Sequence, residues 1–241
     1  MSAPSARVRS LWPREHGAYI QLLVPLITSL LATGLRWAAV AIAVGAGFAF
    51  LASEPLRVML GGRGPRMREA TAARARTRFA TFAALALMAG GTGLALAPAT
   101  VSWLALPLAP LVAFVIVASR RGNVQTVLGE CVAAVALAGA GAPVAVAGGM
   151  NLRDALVVWS AWSLAYATTV IVVHHVIAHH RRASSLANAR SGISVVLLCG
   201  TLAAWITAFP LASFATPLAI AVVLVLIWTP RATRLRAIGI A

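Results

Sequence analysis

Long apolar blocks recur along the whole chain and constrain its fold more than any other feature. Each block is close to the roughly 20 residues that an α-helix needs to cross the roughly 30 Å hydrocarbon core of a bilayer. Of the 241 residues, 61% are hydrophobic and only 10% are charged. Because backbone amides in hydrocarbon need partners within the protein, and because the blocks are too long and too rich in Ala and Leu for barrel strands, helices are the element that fits. The sequence therefore predicts an all-α, polytopic membrane helical bundle and excludes a soluble globular domain.

Eight of these blocks are predicted to span the membrane, and residues 1–241 are interpreted as a single integral membrane domain. The predicted spans are residues 17–35, 37–53, 79–97, 103–118, 127–147, 155–178, 192–208 and 214–229. Basic residues before the first block are typical of a signal sequence, but the run is long and further spans follow, so we expect a retained first helix. No connection is long enough for a separate soluble domain.

The basic residues are distributed unevenly between the two sets of connections. All 20 are arginines, set against five acids, for a formal charge of +15. Eighteen lie in the termini and after spans two, four and six, whereas only Arg36 and Arg153 lie in the other connections. The positive-inside rule then places both termini in the cytoplasm, with the chain in the cell inner membrane. Charge in short alternate loops also favours anionic lipid headgroups over nucleic acid as the partner.

The longest connection, residues 61–78, combines a glycine- and proline-rich start with a run of Ala and Arg. Ala and Arg favour helix after such a break, so we expect a short interfacial helix here. It would either anchor the chain to anionic lipid or cover a cytoplasmic pocket.

Ionisable side chains converge on the cytoplasmic leaflet once this topology is adopted. Such groups are costly near hydrocarbon and are usually retained for a function. We therefore predict a ligand-binding site formed where spans one, two, four and five meet the cytoplasmic side. Its residues are Glu15, His16, Glu54, Arg57, Arg120 and Glu130.

Three of these acids also have a purely structural interpretation. Glu15 and Glu130 lie near helix starts, where a carboxylate complements the helix dipole. Glu54 precedes Pro55 and would suit the cap of a new helix, with Arg57 as its ion partner. These alternatives remain open at the level of sequence.

The histidine tract at the end of span six predicts a metal site. At 100° per residue, His175 and His179 lie about 40° apart on one helix face, whereas His174 and His180 point away from them. Two imidazoles at this spacing suit a divalent transition metal, with further ligands from Glu15, His16 or Glu54. The alternative is that the histidines are interfacial residues beside Arg181 and Arg182.

The segment PREHGAY at 13–19, together with Glu54-Pro55-Leu56-Arg57 at the exit of span two, resembles the YwiC-like family of small bacterial membrane proteins. The similarity extends over most of the chain in helix number and order. It implies an integral membrane protein and assigns no reaction.

The layout is also similar to the UbiA-type prenyltransferases, all-helical enzymes with a cytoplasmic site. That resemblance implies a magnesium and prenyl diphosphate site at the ends of spans two and six, where those enzymes carry aspartates. Here the positions hold Glu54 to Arg57 and the histidine tract, and Gly129-Glu130 is similar to a Gly-Glu pair that opens span five in some of those enzymes. Because Mg²⁺ prefers carboxylate oxygen and histidine suits softer metals, this departure argues against ordinary magnesium-diphosphate chemistry.

Three functions fit these observations, and the sequence leaves open whether the protein is an enzyme. The first is a divergent UbiA-like protein that binds an isoprenoid, another lipid-like molecule or a transition metal. The second is a transporter for a small solute or ion, with Glu54 and Glu130 as proton or cation sites; it ranks lower because the outer halves of the spans are almost purely apolar. The third is a non-catalytic membrane subunit whose polar groups hold helices together.

Overall fold

A computed structural model describes residues 11–12, 16–62, 64–121, 126–180 and 185–228. Within these ranges all regular structure is helical, which confirms the all-α prediction. The α-helices are α1 His16–Thr33, α2 Trp37–Met59, α3 Pro65–Leu96, α4 Ala105–Arg121, α5 Val127–Gly139, α6 Gly141–Ala147, α7 Leu152–His180, α8 Ser185–Ala208 and α9 Thr216–Trp228. Short 3₁₀ helices, Ala99–Leu104 and Pro210–Ala215, precede α4 and α9.

Helices lie at the positions of all eight predicted spans. Among the described residues, five segments are long and apolar enough to cross a membrane: Trp37–Met59, Pro65–Leu96, Ala99–Ala118, Val127–Ala147 and Leu152–Val176. Three shorter apolar helices, Gly17–Thr33, Gly192–Ala208 and Pro210–Leu224, match the remaining spans. Many large apolar side chains face outward, as expected where lipid replaces water around the protein.

Helices α2 and α3 form a tight antiparallel hairpin with the most extensive contact in the fold. Glycines allow the two backbones to approach closely: a Cβ at Gly45 would lie 2.7 Å from the backbone nitrogen of Gly90, and one at Gly93 would lie 2.7 Å from that of Ile42. Small residues at such crossings let van der Waals contact replace the hydrophobic effect, which does not drive helices together in lipid.

The segment 61–78 does not form a separate interfacial helix, so that prediction is wrong. Gly64, at φ 87°, turns the chain, Pro65 occupies the first turn, and the helix then runs without a break to Leu96. Its Ala- and Arg-rich start contains no residue that would interrupt the helix. Met67 and Ala75 pack in one apolar cluster with Val58 and Leu11, which fixes this stretch against the end of α2.

The remaining core is built around α7, which packs against α5 and α8. The indole Nε1 of Trp159 donates to the Val135 carbonyl of α5 at 3.0 Å. Span five itself is interrupted at Ala140, between α5 and α6. There, Gly141 lies against Pro25 of α1, close enough that a Cβ would lie 2.9 Å from the Pro25 carbonyl oxygen.

These contacts bring together the starts of α1 and α5 and the ends of α2 and α7, which we call the polar end of the bundle. Tyr19 meets Phe50 edge-on with ring centroids 4.9 Å apart, linking the start of α1 to α2. Tyr166 of α7 donates to the Ile20 carbonyl of α1 at 3.1 Å. At the opposite end, the guanidinium of Arg36 packs onto Gly149 in the turn before α7.

Candidate functional site

A close contact between two ionisable side chains at the polar end joins α5 to α7. His174 Nε2 lies 2.9 Å from Glu130 Oε2, and the two side chains are 33% and 39% exposed. Thr126 caps α5 by accepting a hydrogen bond from the Gly129 backbone nitrogen at 3.1 Å, so Glu130 sits in the first turn. The antiparallel arrangement of the two helices then carries His174 across from it.

This pair has chemical properties that an apolar contact lacks. With the carboxylate ionised, the Nε2–H group of the imidazole donates to it, which orients the ring and leaves Nδ1 available. Such a pair can pass a proton to or from a bound molecule. It also offers one nitrogen and one oxygen donor of the kinds that bind transition metals.

Glu54 is the second acid at this end, and it is almost completely buried, with 3% of its surface exposed. Its Oε2 lies 3.8 Å from Nη1 of Arg57, one turn later, so the predicted ion pair forms, although at the long limit of such contacts. A charge buried this deeply needs compensation of this kind.

The interpretation of Glu54 as the cap of a new helix is wrong. Helix α2 does not end at residue 53 but continues through Pro55 to Met59, with both Glu54 and Pro55 buried. Proline removes one backbone hydrogen bond from a helix, yet packing of the last turn against α3 retains the helical path. Glu54 is therefore an interior helical residue whose side chain faces the bundle.

The other predicted site residues are only partly placed. His16 begins α1, Arg120 lies in the last turn of α4, and His179 lies in the last turn of α7, but the side chains of all three fall outside the described part of the chain, as does Glu15 entirely. Their participation in the site stays a prediction.

His175 turns toward a different neighbour from His174. Its Cε1 lies 3.8 Å from where a Cβ on Gly192 of α8 would stand. Among the described residues, no three His, Cys, Asp or Glu side chains are grouped closely enough to hold a metal ion. A metal site at His175 and His179 remains a prediction that depends on side chains outside the described ranges.

Helical spacing predicts that His174 points away from the His175–His179 pair, and the predicted site does not include His174. In the structure it contacts Glu130. His174 lies seven residues, or two helical turns, after Ala167 on α7. The Ala167 carbonyl is 4.0 Å from Cys131 Sγ, so this face of α7 meets α5. Spacing within one helix identifies residues that share a face, but it does not say which face meets which neighbour.

Comparison with known proteins finds a similar family for the part of the chain that carries Glu54 and Glu130. The sequence model of a family described as YwiC-like protein matches residues 12–146, more than half of the chain. The matched region includes Glu54 and Glu130 and ends before α7, which carries His174. No curated protein and no solved structure matches the chain.

Proposed function

This chain belongs to the YwiC-like protein family, and we propose that it is a membrane protein that binds a lipid-like molecule with an anionic headgroup, such as an isoprenyl phosphate, at its polar end. The observation that carries the proposal is the 2.9 Å contact between Glu130 and His174. It joins two helices at the end of the bundle that also buries Glu54.

The energetic cost of these groups supports a functional role. Placing an acid at the centre of a membrane helix costs about 2.5–3.5 kcal/mol on insertion scales, and less toward the interface. Apolar residues would hold α5 and α7 together without that cost, because packing and small residues already drive helix association in lipid. An acid–imidazole pair at this position is therefore better explained by a bound polar group than by packing.

The charge of the surroundings favours an anionic headgroup. Arg57, the ion partner of Glu54 at the end of α2, has a side chain that is 22% exposed, and exposed arginines at 66, 68, 74 and 76 lie on the neighbouring start of α3. Arginine forms bidentate hydrogen bonds with phosphate and carboxylate. The positive-inside rule would make this the cytoplasmic side of the inner membrane, where the same arginines would also contact anionic lipid.

Within such a site the residues would have two roles, headgroup binding and proton transfer. Arg57, with the predicted Arg120, would bind the headgroup, and the Glu130–His174 pair would give up or take a proton at that headgroup. A catalytic version would be a divergent UbiA-like transferase that lacks the aspartate-rich motifs. The chain of the ligand would lie along the apolar helix faces, in contact with lipid.

Titration calorimetry with farnesyl phosphate tests the proposal. The protein is reconstituted in discs of zwitterionic phosphatidylcholine, and wild type is compared with His174→Ala. We expect saturable binding to wild type and at least tenfold weaker binding to the variant, because the unpaired Glu130 carboxylate would repel the phosphate. His175→Ala is the matched control, since its ring faces α8, and it should bind like wild type.

Two further titrations separate headgroup from tail. Farnesol, which lacks the phosphate, and dodecyl phosphate, which lacks the isoprenoid chain, are titrated into the same discs. If farnesol does not bind and dodecyl phosphate does, the site recognises the anionic headgroup. Absence of farnesyl phosphate binding to wild type would overturn the proposal and favour the transporter or the non-catalytic subunit.

A divalent transition metal is the second candidate ligand, and one observation favours it. Glu130 and His174 bring a carboxylate oxygen and an imidazole nitrogen together on neighbouring helices, and both are ligand types found in zinc sites. Further ligands would have to come from residues such as His16 or His179. Elemental analysis of protein purified without chelator should find a stoichiometric metal that is lost in His174→Ala; a metal-free wild type would exclude this candidate.

A further inference from the structure

A cleft opens between α5, α7 and α8 at the opposite end of the bundle from Glu54 and Glu130. Its volume is about 790 Å³, and its walls are mainly apolar. Its lining includes Arg153, Leu156, Trp159, Ser163, Trp205 and Phe209. We call it the tryptophan cleft.

The depth of the tryptophan cleft matches one leaflet of a membrane. Arg153 and Ser163 lie ten residues apart on α7, which corresponds to about 15 Å along the helix axis. That is half of the roughly 30 Å hydrocarbon core. The cleft therefore runs from the membrane surface at Arg153 to about the bilayer midplane at Ser163, and its apolar walls suit a hydrocarbon chain.

Two polar atoms at the deep end are buried and have no hydrogen-bond partner in the described structure. They are Ser163 Oγ and Trp205 Nε1. The other tryptophan of the cleft differs, because the Trp159 indole donates to the Val135 carbonyl. Buried polar groups are normally paired, and both residues line the cleft. A rotation of each side chain would turn its polar atom into the cleft, where a ligand oxygen could accept from Trp205 and form a hydrogen bond with Ser163.

The mouth of the cleft carries a positive charge that the described residues leave uncompensated. Arg153 is exposed and forms no ion pair within the described ranges. The adjacent acid, Asp154, is engaged instead by Asn151, whose Nδ2 lies 2.7 Å from Asp154 Oδ2. Arg153 is therefore available to a carboxylate or phosphate at the membrane surface.

We propose that the tryptophan cleft binds a fatty-acid-like anion whose chain carries an oxygen substituent. The anionic head contacts Arg153, the chain fills the apolar walls, and the oxygen reaches Ser163 and Trp205. An extended chain of roughly a dozen atoms covers the distance of about 15 Å that separates Arg153 from Ser163 along α7. Under the predicted orientation this ligand enters from the outer leaflet, and the site is independent of the one proposed around Glu130 and His174.

Calorimetry with 12-hydroxystearate, stearate and the methyl ester of 12-hydroxystearate tests this site, with empty phosphatidylcholine discs as the partition control. We expect wild type to bind 12-hydroxystearate at least tenfold more tightly than either comparison compound. Arg153→Gln should lose that advantage over the methyl ester, and Ser163→Ala should lose the advantage over stearate. Arg36→Gln, which changes the other arginine of this end, should behave like wild type.

Several outcomes would overturn the inference. These are equal binding of stearate and 12-hydroxystearate to wild type, unchanged affinity in Arg153→Gln, or heats no larger than those of empty discs. The thermal midpoint of each variant checks that it is folded. His174→Ala should retain 12-hydroxystearate binding, so that failure at one end of the bundle is distinguishable from failure at the other.

Discussion

The α2–α3 hairpin gives a stability prediction whose size follows from the structure. In Gly45→Ala, the new Cβ would lie 2.7 Å from the Gly90 nitrogen and 3.2 Å from the Ala86 carbonyl oxygen. These are backbone atoms, so no change of rotamer relieves the clash and the two helices must move apart. Overpacking of this kind costs about 1–3 kcal/mol.

Gly47 in the same helix provides a matched control, because a Cβ there would have no neighbour within 4 Å. Both substitutions gain the roughly 0.5–1 kcal/mol by which alanine exceeds glycine inside a helix. The difference between the two variants therefore isolates the clash. At about 2–4 °C per kcal/mol for a chain of this size, Gly45→Ala should melt roughly 2 to 12 °C below Gly47→Ala.

Thermal unfolding followed by circular dichroism, in one detergent and at one protein concentration, measures this difference. We expect Gly47→Ala to melt at or slightly above wild type and Gly45→Ala clearly below it. If the two variants melted together, α2 and α3 would not cross at Gly45, and the reasoning from close backbone approach would be refuted.

Two further predictions concern the contact between α1 and α7 and the orientation in the membrane. Tyr166→Phe removes the 3.1 Å hydrogen bond to the Ile20 carbonyl and should lower stability by about 0.6–1 kcal/mol in the same thermal assay; an unchanged midpoint would show that this bond contributes nothing. The orientation is tested with single cysteines in a background in which both native cysteines are alanine. Asn151→Cys should react with a membrane-impermeant maleimide in intact cells, and Gly62→Cys should react only after lysis. The reverse pattern would contradict the positive-inside assignment.

The spans were predictable because hydropathy depends on composition over about 20 residues and needs no knowledge of neighbours. Their limits were less predictable. Pro55 and the glycines after residue 60 suggested that α2 ends early and that residues 61–78 form a separate helix. In the structure α2 continues through Pro55 to Met59, because its last turn packs against α3. The glycines do turn the chain before Pro65, but no residue after Pro65 interrupts α3, which runs to Leu96.

The convergence of polar residues was partly predictable. Positive-inside topology grouped Glu54 and Glu130 with the histidine tract, and the structure places Glu54, Glu130 and His174 at one end of the bundle. The choice between His174 and His175 was not predictable, because helical spacing defines faces without naming the helix that each face meets. In the structure His174 faces α5, whereas His175 faces α8.

A double-mutant cycle on Glu130 and His174 tests most directly whether these residues act as one unit in ligand binding. Farnesyl phosphate affinity is measured for wild type, Glu130→Gln, His174→Gln and the double variant in identical discs. We predict strong non-additivity, with a double variant that binds no more weakly than the weaker single variant, because either change already breaks the pair. Additive losses, or four equal affinities, would contradict the proposal that this pair forms the functional centre of the protein.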